Sequence, residues 1–190
     1  MKKIALVAAL AAAVTASAEL KIGTVDMIML VRNHSSYEPN KKLLADTEKD
    51  YAKKVDRMKA DLEDVQEEGK RLTEQLRNPM LAPAAKAKLE KEMLDVQNRF
   101  LAGQQAIRNE MMRTQQDLQG LEGRLLKATT EDLHRRIDEF AEKEGYDLVL
   151  DAAAAPFANK SLDVTPEILK AMGVDPAQAK GPRDSANEGK

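Results

Sequence analysis

Cysteine and tryptophan are absent, and the 190 residues hold only three Tyr, three Phe and two His. Without cysteine there is no disulfide, no thiolate nucleophile, no thiol-ligated metal and no N-terminal cysteine to carry a lipid. His34 and His134 lie a hundred residues apart, and neither has metal-like spacing around it. His134 sits among Glu131, Asp132, Arg135 and Arg136 on a helix-forming run, where a solvated face is expected. The few serines fall near the N-terminus, before the first long helix, in a turn and in the tail, so no nucleophile constellation is expected. Gly120-Leu121-Glu122-Gly123 lies within a helical run and follows no strand, which excludes a phosphate-cradling loop. Paired acids such as Glu67-Glu68 and Asp138-Glu139 read as helix-surface charge with no pocket to shift them. No catalytic residue, metal or cofactor is expected, and the chain does not read as an enzyme.

Long apolar runs are also missing beyond the first residues. Met1-Lys2-Lys3 is basic, Ile4 to Thr15 is apolar, and Ala16-Ser17-Ala18 is a small-residue cleavage site. Residues 1–18 therefore read as a secretory signal peptide, cut before Glu19. The apolar stretch is shorter than the roughly 20 residues that a membrane-spanning helix needs. Export without disulfides leaves the chain to be held by packing or assembly alone, and in a double-membraned bacterium the periplasm is the expected compartment. Removing Lys2 and Lys3 leaves 28 Lys and Arg against 32 Asp and Glu, a formal −4.

What the chain has in abundance is helix-forming sequence, from Asn40 to Ala141, broken once at Asn78-Pro79-Met80-Leu81-Ala82-Pro83. Before the break, Leu44, Glu48, Tyr51, Val55, Met58 and Leu62 step by four and three, continuing through Val65, Gly69, Leu72 and Leu76. That spacing averages about 3.5 residues, the period of a left-handed coiled-coil seam. After it, Leu89, Met93, Val96, Phe100, Gly103 and Ile107 resume the pattern, which continues through Met111, Thr114, Leu118, Leu121, Leu125 and Ala128. The steps from Gly103 to Ile107 to Met111 form a stutter that should relax the supercoil. Two seams joined by a proline-punctuated turn predict an antiparallel helical hairpin over residues 37–143, with its tip near 78–83. The arms, Tyr37 to Arg77 and Pro83 to Lys143, are unequal, roughly 60 and 90 Å long. The excess of the second arm, including Leu133, Ile137 and Phe140, should pack into a compact part.

That compact part, or body, is expected from residues 19–36 and 144–173. Leu20 to Val25 alternates apolar and polar residues as a strand does, and Asp26 can cap a helical turn through Val31. Ser35 or Ser36 should cap the first long helix, with Glu38 completing a capping box and Pro39 in the first turn. Gly145 stops the second arm, and Tyr146 to Asp151 is a second strand, with Phe157-Ala158 suited to a third. Ile22 and Val25 are expected to be buried with Leu148 and Leu150. Asp163 or Thr165 should cap a last helix ending at Gly173. Residues 174–190 lack apolar periodicity and read as a disordered tail. The fold class is α+β: a long antiparallel helical hairpin on a small sheet. A body this small is marginal alone, so oligomerisation is expected.

Charge is concentrated at the tip. Between residues 70 and 91, Lys70, Arg71, Arg77, Lys86, Lys88 and Lys91 face only Glu74 and Glu90. Such a tip suits anionic partners, either lipid headgroups or acidic polypeptide. Met80 and Leu81, between two prolines, are the apolar side chains expected to be exposed there. The candidate contact residues are Arg71, Arg77, Met80, Leu81, Lys86, Lys88 and Lys91.

The opening Lys21-Ile22-Gly23-Thr24-Val25-Asp26-Met27, the charged hairpin, and the closing Gly145-Tyr146-Asp147-Leu148-Val149-Leu150-Asp151 with Ser161 to Leu169 form a recognisable order. In these segments the chain resembles the Skp/OmpH-like family of periplasmic chaperones for outer-membrane proteins, over nearly all of the mature sequence to Gly173. The resemblance implies a homotrimer whose strands build a small body, with Ile22, Val25, Leu148, Val149 and Leu150 in it. It implies three hairpins hanging as tentacles around a cavity that holds an unfolded β-barrel protein without ATP. It also implies contact with anionic membrane or lipopolysaccharide, and no nucleic-acid partner. Well-known members are basic overall, whereas here only the tip is positive. The alternative is a structural coiled-coil adaptor of the envelope that binds a specific folded partner.

Overall fold

The computed structural model describes residues 20–181. The expected signal peptide and residues 182–190 lie outside the described residues. In chain order the elements are β1 (Ile22–Val25), α1 (Met27–Asn33), α2 (Tyr37–Leu76), α3 (Pro83–Glu144), β2 (Leu148–Asp151) and α4 (Thr165–Ala171). Two single 3-10 turns, Ala152–Ala154 and Lys160–Leu162, lie between β2 and α4. No described helix is long and apolar enough to cross a membrane.

β1 and β2 pair in parallel, with Ile22 opposite Leu148 and Val25 opposite Asp151. On its other side β1 meets Asp163 through an isolated parallel bridge, and the Val164 amide donates to the Thr24 carbonyl at 2.9 Å. β1 is thus central and β2 is the outer strand. Side chains alternate across a strand, so only Val149 of the β2 apolar run turns to the core. Leu148 and Leu150 are 41% and 40% exposed, which corrects the expectation that they are buried with Ile22 and Val25. Phe157-Ala158 forms no strand, and Phe157 stands 85% exposed after Pro156.

The core lies beneath the sheet, where Val25, Leu30, Leu133, Ile137, Val164, Ile168 and Leu169 form one buried cluster. Three local devices aim these side chains. The Asp26 carboxylate accepts from the Met29 amide at 2.9 Å and starts α1. The Thr165 hydroxyl accepts from the Asp26 amide and donates to Asp163, tying the start of α4 to the start of α1. Gly145 ends α3 with φ 71°, a left-handed conformation that favours glycine, so the chain turns directly into β2.

Along the hairpin, the α2 seam residues Leu44, Tyr51, Val55, Met58, Leu62 and Val65 are all buried or half-buried. The α3 seam departs from the spacing expected of it. Met111 is exposed, and Glu110 takes the inward position, where Lys54 pairs with it at 2.6 Å and leaves its side chain 14% exposed. Likewise Thr129 is buried where Ala128 was expected. The seam therefore steps through Ile107, Glu110, Thr114, Leu118, Leu121, Leu125 and Thr129, lengthening its period towards the body. Leu62 lies over Gly103, where an added Cβ would approach its Cδ1 to 2.7 Å.

The tail also differs from expectation through Gly181. Val174 and Ala179 pack against the core. The Asn33 side-chain amide donates to the Lys180 carbonyl at 3.1 Å, and its oxygen accepts from the Lys180 amide at 2.9 Å. Arg32 donates to the Gly181 carbonyl at 2.8 Å. Residues 174–181 therefore form a strap across α1, held by backbone and side-chain amides rather than by an apolar pattern.

Leu133 is fully buried at the point where α3 enters the core. Leu133→Ala is expected to cost about 2–5 kcal/mol, read as a lower urea midpoint of unfolding; an unchanged midpoint would place this residue outside the cooperative core.

Candidate functional site

Three places carry exposed or unusual chemistry: the outer face of the body, the tip, and the root where α1 and α2 meet α3. At the body, the β2 edge, Leu148, Leu150 and Phe157 are uncovered in a single chain. Val25 is 2% exposed and belongs to the inside of the body, whereas half-buried Ile22, in register with Leu148, lies on the opposite face. The five residues expected to build a trimer body are thus divided between an inner face, with Val25 and Val149, and an outer one.

At the tip, Arg71, Arg77, Lys86, Lys88 and Lys91 are all exposed. Lys86 reaches Glu90 at 4.0 Å and Lys88 reaches Glu92 at 3.8 Å, surface pairs that contribute little and leave the charges facing water. Met80 is 88% exposed, but Leu81 is only half-buried, against the expectation that both stand free. The Asn78 carboxamide accepts from the Met80 amide at 3.0 Å and shapes the turn, directing Met80 outward. The strong positions of the tip are therefore one methionine and five bases.

The root holds a polar network that sequence spacing did not reveal. His34 Nε2 meets Asp132 at 3.0 Å, His34 Nδ1 meets the Ser36 hydroxyl at 2.7 Å, and Ser36 meets the Thr129 hydroxyl at 2.9 Å. Since Asp132 also accepts from Arg136 at 2.7 Å and from Arg135, it is an ionised acceptor. The imidazole then donates from Nε2 and accepts at Nδ1, where the Ser36 amide also points at 3.2 Å. The Ser36 hydroxyl is consumed here, which is why it does not cap α2 and why the expected capping box is absent. Glu38 pairs with Lys180 of the strap instead.

Serine, histidine and aspartate in hydrogen-bonded series resemble a nucleophile relay, a juxtaposition that the sequence reading did not expect. Its geometry makes it a clamp. The hydroxyl is shared with Thr129 and Asn40 inside the α2–α3 joint, and Asp132 is held by two arginines of its own helix. The only sequence signal for it was the unusual His34-Ser35-Ser36 at the helix start. Among the described residues, no group of three or more His, Asp or Glu is placed to hold a metal ion.

A family model described as outer membrane protein (OmpH-like) matches residues 21–172. The chain belongs to that OmpH-like family. Membership supports a chaperone of outer-membrane proteins, at work in the periplasm, as the coarse function. No curated protein matches the chain. The matched span includes the body and the whole hairpin, whereas the strap after Met172 lies beyond it.

The Arg136 hydrogen bond first, and the His34 hydrogen bond second, hold the Asp132 carboxyl down at about 2, from an ordinary 3.8. A depressed folded pKa contributes stability that is fully present above the unfolded value and is lost as pH falls through the folded one. The clamp should therefore weaken between about pH 4 and pH 2. The thermal midpoint of the native chain is expected to exceed that of Asp132→Asn at neutral pH and to converge on it in this acid window. Parallel curves throughout would remove the carboxylate from the account.

Proposed function

We propose that the protein is an ATP-independent holdase that binds unfolded outer-membrane β-barrel precursors in a cavity between the hairpins of a homotrimer. The observation that carries this reading is the body. Its buried cluster is small, its outer strand leaves one edge unpaired among the described residues, and Leu148, Leu150 and Phe157 remain uncovered. Unpaired strand edges and apolar patches on a marginal core favour association with further copies of the same chain. Copies joined at the body carry their hairpins side by side, and α2 alone spans roughly 60 Å. A space walled by such arms suits a long unfolded chain held at many weak points, with avidity in place of a sharp site.

Dilution of a urea-unfolded β-barrel protein into buffer tests the proposal by light scattering. Stoichiometric trimer without ATP should suppress the aggregation, and full aggregation in its presence would overturn the reading. Sedimentation of the mature protein should give a trimer, and a monomer or dimer would contradict the shared body. Because Leu150 faces outward in the single chain, Leu150→Asp should keep the helical circular dichroism yet lose the trimer. An unpaired charge buried at a joint costs on the order of several kcal/mol. A mutant that still sediments as a trimer would place the joint elsewhere.

The tip adds a second contact in the same reading, with anionic membrane or lipopolysaccharide. Replacing Arg71, Arg77, Lys86, Lys88 and Lys91 by Glu should leave the trimer intact and abolish binding to vesicles containing anionic lipid. Native binding should weaken as salt shortens the screening length. Unchanged vesicle binding by the charge-reversed protein would show that the tip bases take no part.

A further inference from the structure

The hairpin has two unlike broad faces. One is stitched across the arms: Lys54 pairs with Glu110, and Glu68 pairs with Arg99. Arg113 and Asp95 extend that face with ion pairs to Asp117 and Arg99. The other face is open, and grooves run along it between the arms. The largest holds about 600 Å³ between Leu44–Lys59 and Met111–Glu122. A second lies nearer the tip, between Val65–Thr73 and Met93–Leu101, and two more continue to the root past Leu126. Gln97 and Gln115, like Leu101 and Gln119, are 18 residues apart, five turns of a 3.6-residue helix, so the tip groove and the middle groove share one face.

The α2 side of the grooved face carries Lys41, Glu48, Asp56, Lys59 and Lys70, but its α3 side is chemically distinct. A third of the sequence is Asp, Glu, Lys or Arg, yet α3 contributes only Glu122 of these types to the four grooves. In their place stand the neutral amides Gln97, Gln115 and Gln119 and the exposed apolar side chains Leu101, Met111 and Leu126. Thr114 lines the middle groove with a buried hydroxyl that has no hydrogen-bond partner.

We infer that this grooved face, and not the stitched one, holds the client, as extended unfolded polypeptide with apolar residues at alternate positions. The inference rests on the holdase reading and names the surface that reading uses. An unpaired strand exposes backbone donors and acceptors at every residue, and a carboxamide offers both a donor and an acceptor, so glutamines serve any sequence. The apolar side chains of the strand meet Leu101, Met111 and Leu126. Those three are ten and fifteen residues apart along α3, much too sparse for another helix, whose seam needs a contact every three or four residues. Ten residues of helix span about 15 Å, which four or five residues of strand also span. An extended chain can therefore reach successive apolar positions with polar backbone between them.

The test is site-directed photocrosslinking with the full-length trimer and a urea-diluted β-barrel protein. A benzophenone side chain placed at Leu101 or Gln115 should crosslink the client several-fold more than one placed at Asp95 or Arg113 on the stitched face. Equal yields from the two sets, or groove positions that crosslink chiefly to other copies of the chain, would overturn the assignment. Light scattering on the same proteins keeps the two readings apart. Intact suppression without facial bias removes only the face, whereas loss of suppression in the native protein removes the holdase. As a second arm, the triple variant Leu101→Gln, Met111→Gln, Leu126→Gln should lose suppression several-fold while still sedimenting as a trimer. The control Asp95→Asn, Arg113→Gln alters the stitched face instead and should suppress as the native protein does. The opposite ranking would overturn the inference.

Discussion

Parallel pairing between β1 and β2 is the constraint on which the rest depends. A parallel pair cannot be closed by a tight turn and needs a crossover; here the crossover is the entire hairpin. Bringing Ile22 beside Leu148 closes a loop of more than a hundred residues, an entropic cost of about 4 kcal/mol from length alone. The α2–α3 seam lowers that cost in small steps. Zipping from the Asn78–Ala82 turn makes each new contact local to the last, and by the time Ser36 meets Thr129 the two chain ends are already close. The strands then close only a short residual gap, with Leu133 and Ile137 delivered to the core on the same helix.

This order explains why the root is polar. At the level of Thr129 the seam changes from two packed helices to a corner where α1, α2 and the strap all cross α3. Ser36 sits there as the first backbone turn of α2, with an amide that no helix satisfies. His34 supplies an acceptor for that amide, and Asp132 fixes the imidazole's other nitrogen. A wholly apolar corner would leave the Ser36 amide orphaned. The clamp thus serves the backbone first, and its depressed carboxyl is the electrostatic trace of that role.

The sequence made legible whatever depends on local spacing. The seam in α2, the proline-marked turn, the Asp26 cap and the Gly145 stop are each set by residues within a turn of one another, and the structure has all four. Legibility failed where a partner distant in sequence decides. Met111 suits a seam better than Glu110 until Lys54, on the other arm, neutralises the glutamate. Ser36 suits a cap until Thr129 and His34 compete for its hydroxyl. Residues 174–181 have no apolar period because Asn33 and Arg32 bind their backbone. Leu148 and Leu150 were misplaced for another reason: in a strand with apolar residues on both faces, alternation alone cannot say which face meets the core. At the tip, composition nominated seven side chains, but only the turn geometry separates exposed Met80 from half-buried Leu81.

Net charge is a poor guide to this molecule because its charges are far apart. The tip bases lie roughly 60 Å from the body along α2, while the screening length at physiological salt is about 8 Å. Acids at the body end of α2 therefore do nothing to cancel the field that a surface meets at Arg77 or Lys86. Away from the tip, α3 presents amides and one acid to the middle and root grooves. A formally acidic chain can thus be basic where it ends, present amides on the α3 side of its grooves and be stitched by ion pairs on its reverse face. On the proposed holdase reading, a chain held against the grooved face would be bound by small, sequence-tolerant contacts, each exchanging readily with water, so its release would need no nucleotide: folding elsewhere, which buries the client's own apolar groups, would be sufficient to draw it off.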